Sequence, residues 1–559
     1  MNIFNQIREQ VVELISLYDA ASLEKVTLEP PRDASHGDLS TNAAMILAKD
    51  AGKNPRELAE DFKKLFSQIE IFEEISVAGP GFINFRLNPN FWQNHIADII
   101  SNQQEYGKSS VGKNAKVNVE YVSTNPTGPI HIGHARGAVF GDVLASVLQA
   151  SGYDVTREYY INDAGSQIET LCKSVLLRYN GATEIPEGMY PGEYVIPIAE
   201  NLRAEFGEGL DEKDIAKIRP FVVEETMNLI RENLASANIR HDVFTSEFEL
   251  TKAGKVEEAL KLLDSKGLIY RGVLEAPKGK APDDWEEREQ TLFKSTDFGD
   301  DVDRAIKKSD DSFTYFAGDL GYHLNKIERG FTKLINVLGQ DHGGYVKRIK
   351  AGVKALSDSK VECEIKLVNL VKLMQNGVPV KMSKRGGNYI FIEEVIEEVG
   401  IDALRFIMLT RKNDAPLDFD LAKVVEQSKD NPVFYVQYAH ARCHSVFRQY
   451  GKEVDFTNAD LSLLSNESEL ALIKKLAEFP RIVELAASHY EPHRIAFYLQ
   501  ELAAEFHSLW NAGTSDAALK FIIDDESTTH ARLTLVKAVQ IVVHNGLKIF
   551  GVNAPEEMK

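Results

Sequence analysis

The alternation of apolar and polar positions predicts a strand, a turn and a helix in direct succession near residue 117. Val117, Val119 and Tyr121 alternate with polar residues, as expected of a strand with one buried face. The proline- and glycine-rich stretch 123–129 then predicts a turn, and an amphipathic helix is expected from His131. A strand that leads into a helix through a glycine-bearing turn is the unit with which α/β proteins hold a nucleotide phosphate.

Strands and helices continue to alternate further along the chain. The helical pattern at about 131–150 is followed by a strand at 154–161, which predicts a right-handed parallel unit. Later elements are expected as strands at 313–316, 333–338 and 364–370 and a helix at about 343–357. Asp319 and the triplet 340–342 follow two of these strands, at the edge where a parallel sheet holds its ligand.

The N-terminal part of the chain follows a different pattern. Residues 1–110 predict a small α+β domain that begins with helices at about 3–19 and 40–68. A hairpin is expected next, with strands at 74–77 and 82–87 that are joined by a Gly-Pro-Gly turn.

The rest of the chain predicts two further domains. A polar linker at 101–114 leads into an α/β domain at 115–393. This domain is expected to carry an acidic, mainly helical insertion at about 175–300. Residues 394–559 read almost entirely as helix and predict an all-α bundle.

Composition and charge limit the class of protein. The 559 residues are 43% hydrophobic and 26% charged, which is ordinary for a globular chain. No apolar run approaches the ~18 residues of a membrane span, and the amphipathic, acidic start does not resemble a signal peptide. Three widely separated cysteines exclude a disulfide scaffold and a CxxC zinc site, and they fit the cytoplasm. The net charge of −20 argues against nonspecific polyanion binding, although an RNA-binding face needs only local positive potential.

Two histidines open the predicted helix. Their spacing places His131 and His134 on one helix face, where their N–H groups can meet an anion that the helix dipole already favours. Gly133 between them has no side chain, so a flat ring can approach the backbone closely. Far downstream, Lys381 and Lys384 flank a serine in a glycine-ended loop, which suits a negative charge that moves during a reaction.

The two motifs are similar to the HIGH and KMSKS signatures of the class I aminoacyl-tRNA synthetases. They read HIGH at 131–134 and KMSKR at Lys381–Arg385, whose final arginine stands where the general signature has serine. The strings NDAGSQ at 162–167 and DALR at 402–405 resemble one group of these enzymes, the arginyl-tRNA synthetase family. On physical grounds alone, Asp163 in the first string is expected to cap the helix that follows it.

The resemblance implies a multidomain α/β enzyme. Its parts would be a Rossmann-like parallel-sheet catalytic domain, an N-terminal α+β domain that contacts tRNA, and a C-terminal all-α anticodon-binding bundle. The implied activity is ATP-dependent ligation of L-arginine to tRNA(Arg) through an arginyl-adenylate, with release of AMP and pyrophosphate. The catalytic residues that it implies are His131, His134, Lys381 and Lys384.

The resemblance also implies three sets of binding residues. For ATP these are Pro129, Ile132, Gly133, Met382, Ser383 and His342. For arginine, whose guanidinium is matched by carboxylates, they are Asn125, Glu247, Tyr315, Asp319 and Gln340. For tRNA, whose unstacked bases suit aromatic and cationic side chains, they are Tyr435, Gln437, Tyr438 and Arg442.

The expected cofactor is ATP accompanied by Mg²⁺, which phosphate and water oxygens would hold. No protein metal site and no structural zinc are expected, and the chain is expected to act as a cytoplasmic monomer without a membrane partner. Three other functions stay open: another class I synthetase, a non-catalytic tRNA-binding paralogue, and a small-molecule nucleotidyltransferase. Pyrophosphate exchange with each amino acid, with and without tRNA, would separate them.

Overall fold

A computed structural model describes residues 2–31, 33–274, 288–380 and 390–558 of the chain. Four of the predicted site residues lie outside this described part, namely Lys381, Met382, Ser383 and Lys384.

The N-terminal part is a small α+β unit, as the sequence predicts. Its elements are α1 (Ile3–Leu14), α2 (Ala20–Leu23), β1 (Leu28–Glu29), β2 (Leu39–Thr41), α3 (Ala43–Ala51), α4 (Pro55–Phe66), β3 (Phe72–Ala78), β4 (Phe82–Leu87) and α5 (Pro89–Asn102). The expected hairpin is the antiparallel pair β3 and β4, in a sheet of order β1-β2-β4-β3. The helix expected at 40–68 is instead two helices, because Gly52 adopts a left-handed conformation and Asn54 caps the next helix.

The central part alternates strands and helices. Its first elements are β5 (Lys116–Glu120), α6 (Ile132–Ala150), β6 (Asp154–Ile161), α7 (Ser166–Tyr179), α8 (Val195–Phe206), α9 (Ile215–Ser236), β7 (Val243–Ser246), α10 (Glu247–Lys252) and α11 (Lys255–Ser265). They are followed by β8 (Ile269–Gly272), β9 (Gln290–Phe293), β10 (Arg304–Lys307), α12 (Tyr315–Glu328), β11 (Lys333–Gly339), α13 (Val346–Ser357) and β12 (Glu362–Val368).

Within the described residues, five parallel strands form the main sheet in the order β12-β11-β5-β6-β7. The chain runs outward from β5 in one direction through β6, and from β11 in the other direction to β12. The strand order therefore reverses between β5 and β11. At such a switch point the connections leave on opposite faces of the sheet, and a crevice opens beyond the carboxyl ends of the strands.

The segment at about 175–300 is less purely helical than the sequence predicts. Val243–Ser246 is a strand of the main sheet, parallel to β6, and the Thr245 hydroxyl donates a hydrogen bond to Glu158 on that neighbour at 2.6 Å. Strands β8 and β9, together with β10 just beyond the segment, form a separate antiparallel sheet. The segment therefore contributes one strand, Val243–Ser246, to the main sheet.

The strand predicted at 313–316 is wrong. Phe313 makes a single bridge to Lys307, and the helix α12 then begins at Tyr315. The side chain of Thr314 accepts a hydrogen bond from the N–H of Ala317 and caps this helix. Asp319 consequently lies in the second turn of a helix rather than beyond the end of a strand.

The chain continues into a short sheet and a helical bundle. The elements are β13 (Val371–Gln375), β14 (Val378–Pro379), α14 (Ile392–Val399), α15 (Ile401–Ile407), β15 (Leu417–Asp420), α16 (Pro432–Tyr450), α17 (Glu467–Ala477), α18 (Phe479–His489), α19 (His493–Ser515) and α20 (Glu526–Ile549). The strand β15 pairs with β13 and was not expected in a region that reads as helix. Helices α16 to α20 form the predicted bundle.

The core between α6 and the end of β5 is packed tightly. Helix α6 lies against β5, where a Cβ on Gly141 would stand 2.3 Å from the ring of Tyr121. A glycine is therefore required there, since any side chain would push the helix off the strand. None of the helices in the described ranges combines the length and the apolar character that a membrane crossing needs.

Candidate active site

The turn after β5 stores backbone strain. Val122 and Ser123 both adopt positive φ angles, of 69° and 44°, which are costly for residues other than glycine. Neighbouring β6 holds the turn in this form, because the N–H of Tyr160 donates to the Ser123 hydroxyl at 3.1 Å. The hydroxyl of Tyr159 donates to the carbonyl of Thr124 at 2.9 Å. These hydrogen bonds to β6 therefore fix the conformation of the turn between β5 and α6.

The two histidines lie together at the start of α6, as their spacing predicts. The ring centroids of His131 and His134 are 3.8 Å apart with an interplanar angle of 35°. His131 is the N-cap residue, and its Nδ1 accepts a hydrogen bond from the N–H of Gly133 at 3.2 Å. The Nδ1 atom is thereby used as an acceptor, so the proton of a neutral ring lies on Nε2 and can be donated elsewhere.

The segment that follows residues 381–389 contacts this turn directly. The N–H of Ile132 donates to the carbonyl of Ile390 at 3.0 Å, and the N–H of Ile392 donates to the carbonyl of Ile130 at 3.0 Å. These bonds form an antiparallel bridge between His131 and Phe391. Ile390, which contacts the histidine turn, is five residues after Arg385, the last residue of the KMSKR motif, in the sequence. The motif itself lies outside the described residues.

A group of acidic side chains, Glu247 and Asp319 with Glu120, lies near the carboxyl ends of the parallel strands, and we call it the acid cup. Glu247 is the first residue of α10, directly after β7. Its Oε1 would lie 3.6 Å from a Cβ on Gly318, so the carboxylate faces the helix that carries Asp319. Tyr160 is a partly exposed residue close enough to both acids to interact with their charges, and its ring packs on Tyr322 with the centroids 4.4 Å apart. Sequence reasoning missed Tyr160, although an aromatic residue next to the carboxyl end of a predicted strand was a usable signal.

Burial and like charges perturb both acids of the cup. Burial, followed by the charges of Glu120 and Glu247, raises the pKa of Asp319 to about 7. Burial and the charge of Asp163 raise the pKa of Glu247. The same surroundings raise the pKa of Tyr160, chiefly through burial and then through Glu247 and Asp319. Burial and nearby like charges destabilise the charged forms of these two carboxyls. A cationic ligand bound between them would stabilise those charged forms.

The floor of the cup is a buried ion pair. Lys326 is fully buried, and its Nζ donates to Glu120 at 2.6 Å and lies 4.2 Å from the ring centroid of Tyr322. Glu120 is the last residue of β5, so the central strand of the sheet ends under the cup. The hydroxyl of Tyr322 is buried without a hydrogen-bond partner in the described structure. This pair was not predicted, since neither residue belongs to a recognised motif.

Asp163 was expected to cap the helix that follows it, but it makes no such contact. It accepts hydrogen bonds from the Ser246 hydroxyl at 2.7 Å and from the N–H of Phe248 at 2.9 Å. The expectation failed because an N-cap was inferred from local sequence, whereas the carboxylate reaches across to the next strand. Asp163 thus holds the start of α10 and with it Glu247.

The remaining residues that were predicted to bind arginine or ATP differ in their exposure and in their hydrogen-bond partners. The Asn125 amide donates to Gln167 at 2.7 Å, which ties the turn after β5 to the start of α7. Tyr315 is 74% exposed, and Gln340 is exposed directly beyond β11. The side chain of His342 is half exposed, 3.8 Å from the carboxylate of Asp341. These side chains are accessible to a ligand.

Pro129 and Ile132 behave differently from each other. Pro129 is partly exposed in the turn, whereas the side chain of Ile132 is buried in the main core. A nucleotide could therefore meet Ile132 only through its backbone. The sequence analysis did not distinguish backbone from side-chain contact at this position.

Three family models match successive parts of the chain. They are described as "Arginyl tRNA synthetase N terminal domain" at residues 2–87, "tRNA synthetases class I (R), catalytic domain" at 95–184, and "DALR anticodon binding domain" at 436–558. The curated "Arginine--tRNA ligase" of Parvibaculum lavamentivorans is 55% identical over 96% of this chain and 95% of its own. The chain belongs to the arginyl-tRNA synthetase family.

Further comparisons support this membership of the arginyl-tRNA synthetase family. The "Arginine--tRNA ligase" of Ruegeria pomeroyi is 52% identical over 100% of both chains. A structure described as a putative arginyl-tRNA synthetase from Campylobacter jejuni is 33% identical, covers 84% of this chain and 100% of its own, and has a TM-score of 0.73. The Thermus thermophilus arginyl-tRNA synthetase structure, 22% identical, covers 99% of this chain and 100% of its own with a TM-score of 0.79, which shows the shared fold.

Helix α16 carries the residues that were predicted to bind tRNA. The guanidinium of Arg442 lies 4.3 Å from the ring centroid of Tyr438 and 4.9 Å from that of Trp510. Tyr435 packs on His507 at 4.6 Å. All of the predicted residues here are partly exposed, so their outer faces are accessible.

Gln437 is engaged within the protein. Its amide nitrogen donates to Asp402 at 2.8 Å and to the carbonyl of Asn553 at 2.9 Å. Both amide hydrogens are therefore used, and only the carbonyl oxygen of the side chain remains for a nucleotide. Arg442 is also engaged, through Nη1 with Nδ1 of His507 at 2.9 Å and through Nη2 with the hydroxyl of Tyr438 at 3.2 Å, but its guanidinium carries five N–H donors and so retains some for a ligand.

Proposed function

We propose that this chain ligates L-arginine to tRNA(Arg) at the expense of ATP. The observation that carries the proposal is the pair of adjacent imidazoles, His131 and His134, beside the acid cup of Glu247 and Asp319 at the switch point of the sheet. One feature suits an anionic triphosphate and the other suits a guanidinium. Together they fit an enzyme that joins arginine to a nucleotide.

In the first step, the arginine carboxylate attacks the α-phosphate of ATP, and pyrophosphate leaves with the bonding electrons. The nucleophile is already ionised, so the site has to supply alignment and positive potential rather than a general base. We assign N–H donation to the phosphates to His131 and His134. We assign Lys381 and Lys384 to the departing pyrophosphate. Loss of one such donor is expected to cost about 3 kcal/mol in the transition state.

In the second step, a terminal ribose hydroxyl of tRNA(Arg) attacks the carbonyl carbon of the adenylate, and AMP leaves. The proton of the hydroxyl departs with the phosphate of AMP or with water. Tyr435, Tyr438 and Arg442 would contact unstacked bases far from this step. The N-terminal domain at 1–110 would contact another part of the same tRNA, while 115–393 and 394–559 form the catalytic and anticodon-binding domains.

Arginine would enter the cup with its guanidinium between Glu247 and Asp319, because a planar cation is matched by carboxylate oxygens. Asn125 and Gln340 would hold the amino acid head group at the mouth, with Tyr315 over the side chain. Pro129, Gly133, Met382, Ser383 and His342 would contact ATP, with Ile132 limited to its backbone.

Magnesium would arrive with ATP. The polar groups of the histidine turn are imidazoles and backbone N–H groups, which suit phosphate oxygens rather than a hard cation. The ion would therefore be held by phosphate and water oxygens, where it neutralises charge on the leaving group. We further propose that the enzyme acts as a cytoplasmic monomer without structural zinc.

The direct test is ATP–pyrophosphate exchange with each of the twenty amino acids, with and without tRNA(Arg). The family resemblance implies that arginine activation depends on bound tRNA, so the deciding arm contains tRNA. Exchange with arginine alone among the twenty supports the proposal. No exchange with arginine in the presence of tRNA, or equal exchange with a second amino acid, contradicts it.

A further inference from the structure

A buried asparagine on α9 links two segments of the active site. Asn233 has no solvent exposure, and its Oδ1 accepts a hydrogen bond from the N–H of Ile130 at 2.9 Å. Its Nδ2 donates to Oε1 of Glu393 at 2.7 Å. The two partners are far apart in sequence from each other and from Asn233, so one amide joins three parts of the chain.

Both partners lie next to the proposed chemistry. Ile130 immediately precedes His131, the N-cap residue of α6. Glu393 lies in the first turn of α14, the helix that begins after Ile390 and Phe391. The main-chain bonds between Ile130, Ile132 and the segment 390–392 connect the same two segments. Asn233 therefore adds a side-chain link to a main-chain bridge, at the position where the histidine turn enters its helix.

The site requires an amide in particular. One atom has to accept from a backbone N–H while the other donates to a carboxylate, and among the short side chains only asparagine offers both in a fixed plane. Aspartate could still accept from Ile130, but it would face Glu393 with a second carboxylate. Since the position is buried, that repulsion would be only weakly screened.

We propose that Asn233 is a positioning residue for His131, acting through Ile130 on one side and through Glu393 on the other. The inference rests on the proposed function, in which His131 donates to the phosphates of ATP. A misplacement of reacting groups by ~1 Å can cost up to about 100-fold in rate. The link should therefore influence the chemical step more than it influences the binding of arginine in the separate acid cup.

The test uses the full-length enzyme with tRNA(Arg) in pyrophosphate exchange. Glu393→Ala removes the acceptor and is expected to lower kcat about tenfold, whereas Glu393→Gln keeps an acceptor oxygen and should stay within about threefold of the wild type. Glu397→Ala, an exposed change on the same helix, is the matched control and should leave kcat unchanged. The KM for arginine should change less than twofold in all three.

The reversed pair gives a second, independent arm. Asn233→Asp is expected to lower kcat about 30- to 100-fold. The double variant Asn233→Asp with Glu393→Gln restores an amide–carboxylate bond in the opposite direction, and it should recover at least tenfold of that loss. Asn545→Asp is the control for introducing a charge at a buried amide. Asn545 donates to the carbonyls of Gln103 and Tyr106, away from the site, so it should lower the Tm but not kcat.

The outcomes separate this inference from the proposed function. If the wild type shows no arginine exchange with tRNA, the proposed function fails. If the wild type is active but Glu393→Ala and Glu393→Gln have equal kcat, the positioning role is wrong. It is also wrong if the double variant is no more active than Asn233→Asp. If Asn233→Asp does not fold, the comparison of the two Glu393 variants decides the question.

Discussion

Nη2 of Arg405 lies 2.6 Å from Oδ2 of Asp142. This contact connects the DALR string to α6, the helix that begins with the two histidines. The same guanidinium donates to the carbonyls of Phe550, Ala237 and Asn238, so one buried side chain joins the C-terminal bundle to the catalytic sheet. The arginine of this string is therefore a structural link between domains.

Replacing this link should destabilise the whole chain. Arg405→Met would remove the donor from the buried carbonyls of Phe550 and Ala237 and from the more exposed carbonyl of Asn238. Among the described residues it would leave Asp142 with Arg157, at 3.3 Å, as its remaining ion-pair partner. We expect a loss of about 3 kcal/mol of stability, because removal of one partner leaves a buried charge poorly compensated. Urea unfolding followed by fluorescence measures the loss. Arg448→Met, which changes a half-exposed arginine on α16, should shift the midpoint little, and an equal shift in both variants would contradict the assignment.

Two glycines of α6 should respond oppositely to alanine. A Cβ on Gly133 would lie 2.9 Å from Cε1 and Nδ1 of His131, whereas a Cβ on Gly137 would meet nothing within 4 Å. Gly133→Ala should therefore displace the His131 ring and lower kcat about 100-fold. Gly137→Ala should leave kcat unchanged and stabilise the helix by up to about 1 kcal/mol. Exchange kinetics and Tm measured on both variants check this, and similar kcat values would show that the ring is not held by this contact.

The histidine turn could be predicted from sequence because its information is local. Residues 154–161 form the expected strand at the expected bounds, and α6 begins within one residue of its expected start. Alternation, turn residues and a three-residue spacing act within a few positions of each other. The pairing of the two histidine rings follows from helix geometry alone.

The acid cup could be predicted only in part. Glu247 and Asp319 came from a family resemblance, whereas Tyr160 and the pair Glu120–Lys326 were missed. Those contacts depend on which strands become neighbours, and the strand Val243–Ser246 was hidden in a segment that reads as helix. The aromatic and β-branched string 313–316 suggested a strand, but tertiary packing of Phe316 and Leu320 on the core selects a helix.

Arginine binding should depend on pH through Asp319. Because its pKa is about 7, the carboxyl group of Asp319 is partly protonated at neutral pH in the free enzyme. A bound guanidinium favours the ionised carboxylate. The KM for arginine should therefore rise as pH falls from 8 to 6, and binding near pH 7 should release protons. Calorimetry in buffers of different ionisation enthalpy measures the release directly. A constant KM over this range, with no proton release, would contradict the role of Asp319.

The cup should select for the guanidinium rather than for positive charge. Lysine presents a smaller head with different donor geometry, and it would leave buried carboxylate oxygens unpaired. We expect lysine to be rejected by a factor of ~10⁴ or more in kcat/KM. An oxygen-substituted isostere of arginine keeps the planar head and should be activated far more readily than lysine. Equal exchange rates for the isostere and lysine would overturn this account of selectivity.

Four buried histidines should make the fold sensitive to acid. Burial lowers the pKa of His241, His440 and His507 to about 4 and that of His323 to about 3, from 6.5. Between pH 6.5 and 4 the unfolded chain therefore binds more protons at these positions than the folded chain does, and stability falls as the pH is lowered.

Asp319 acts in the opposite direction, since its folded-state pKa lies above 3.8 and it retains a proton that the unfolded chain would lose between pH 7 and 4. One carboxyl offsets only one of the four histidines, so the net effect of these five groups is a loss of stability in acid. Urea midpoints at pH 7, 6 and 5 should decline in that order. His440→Gln, which removes one buried imidazole from the contact with Pro555, should make the decline shallower. An unchanged slope in this variant would show that His440 does not contribute.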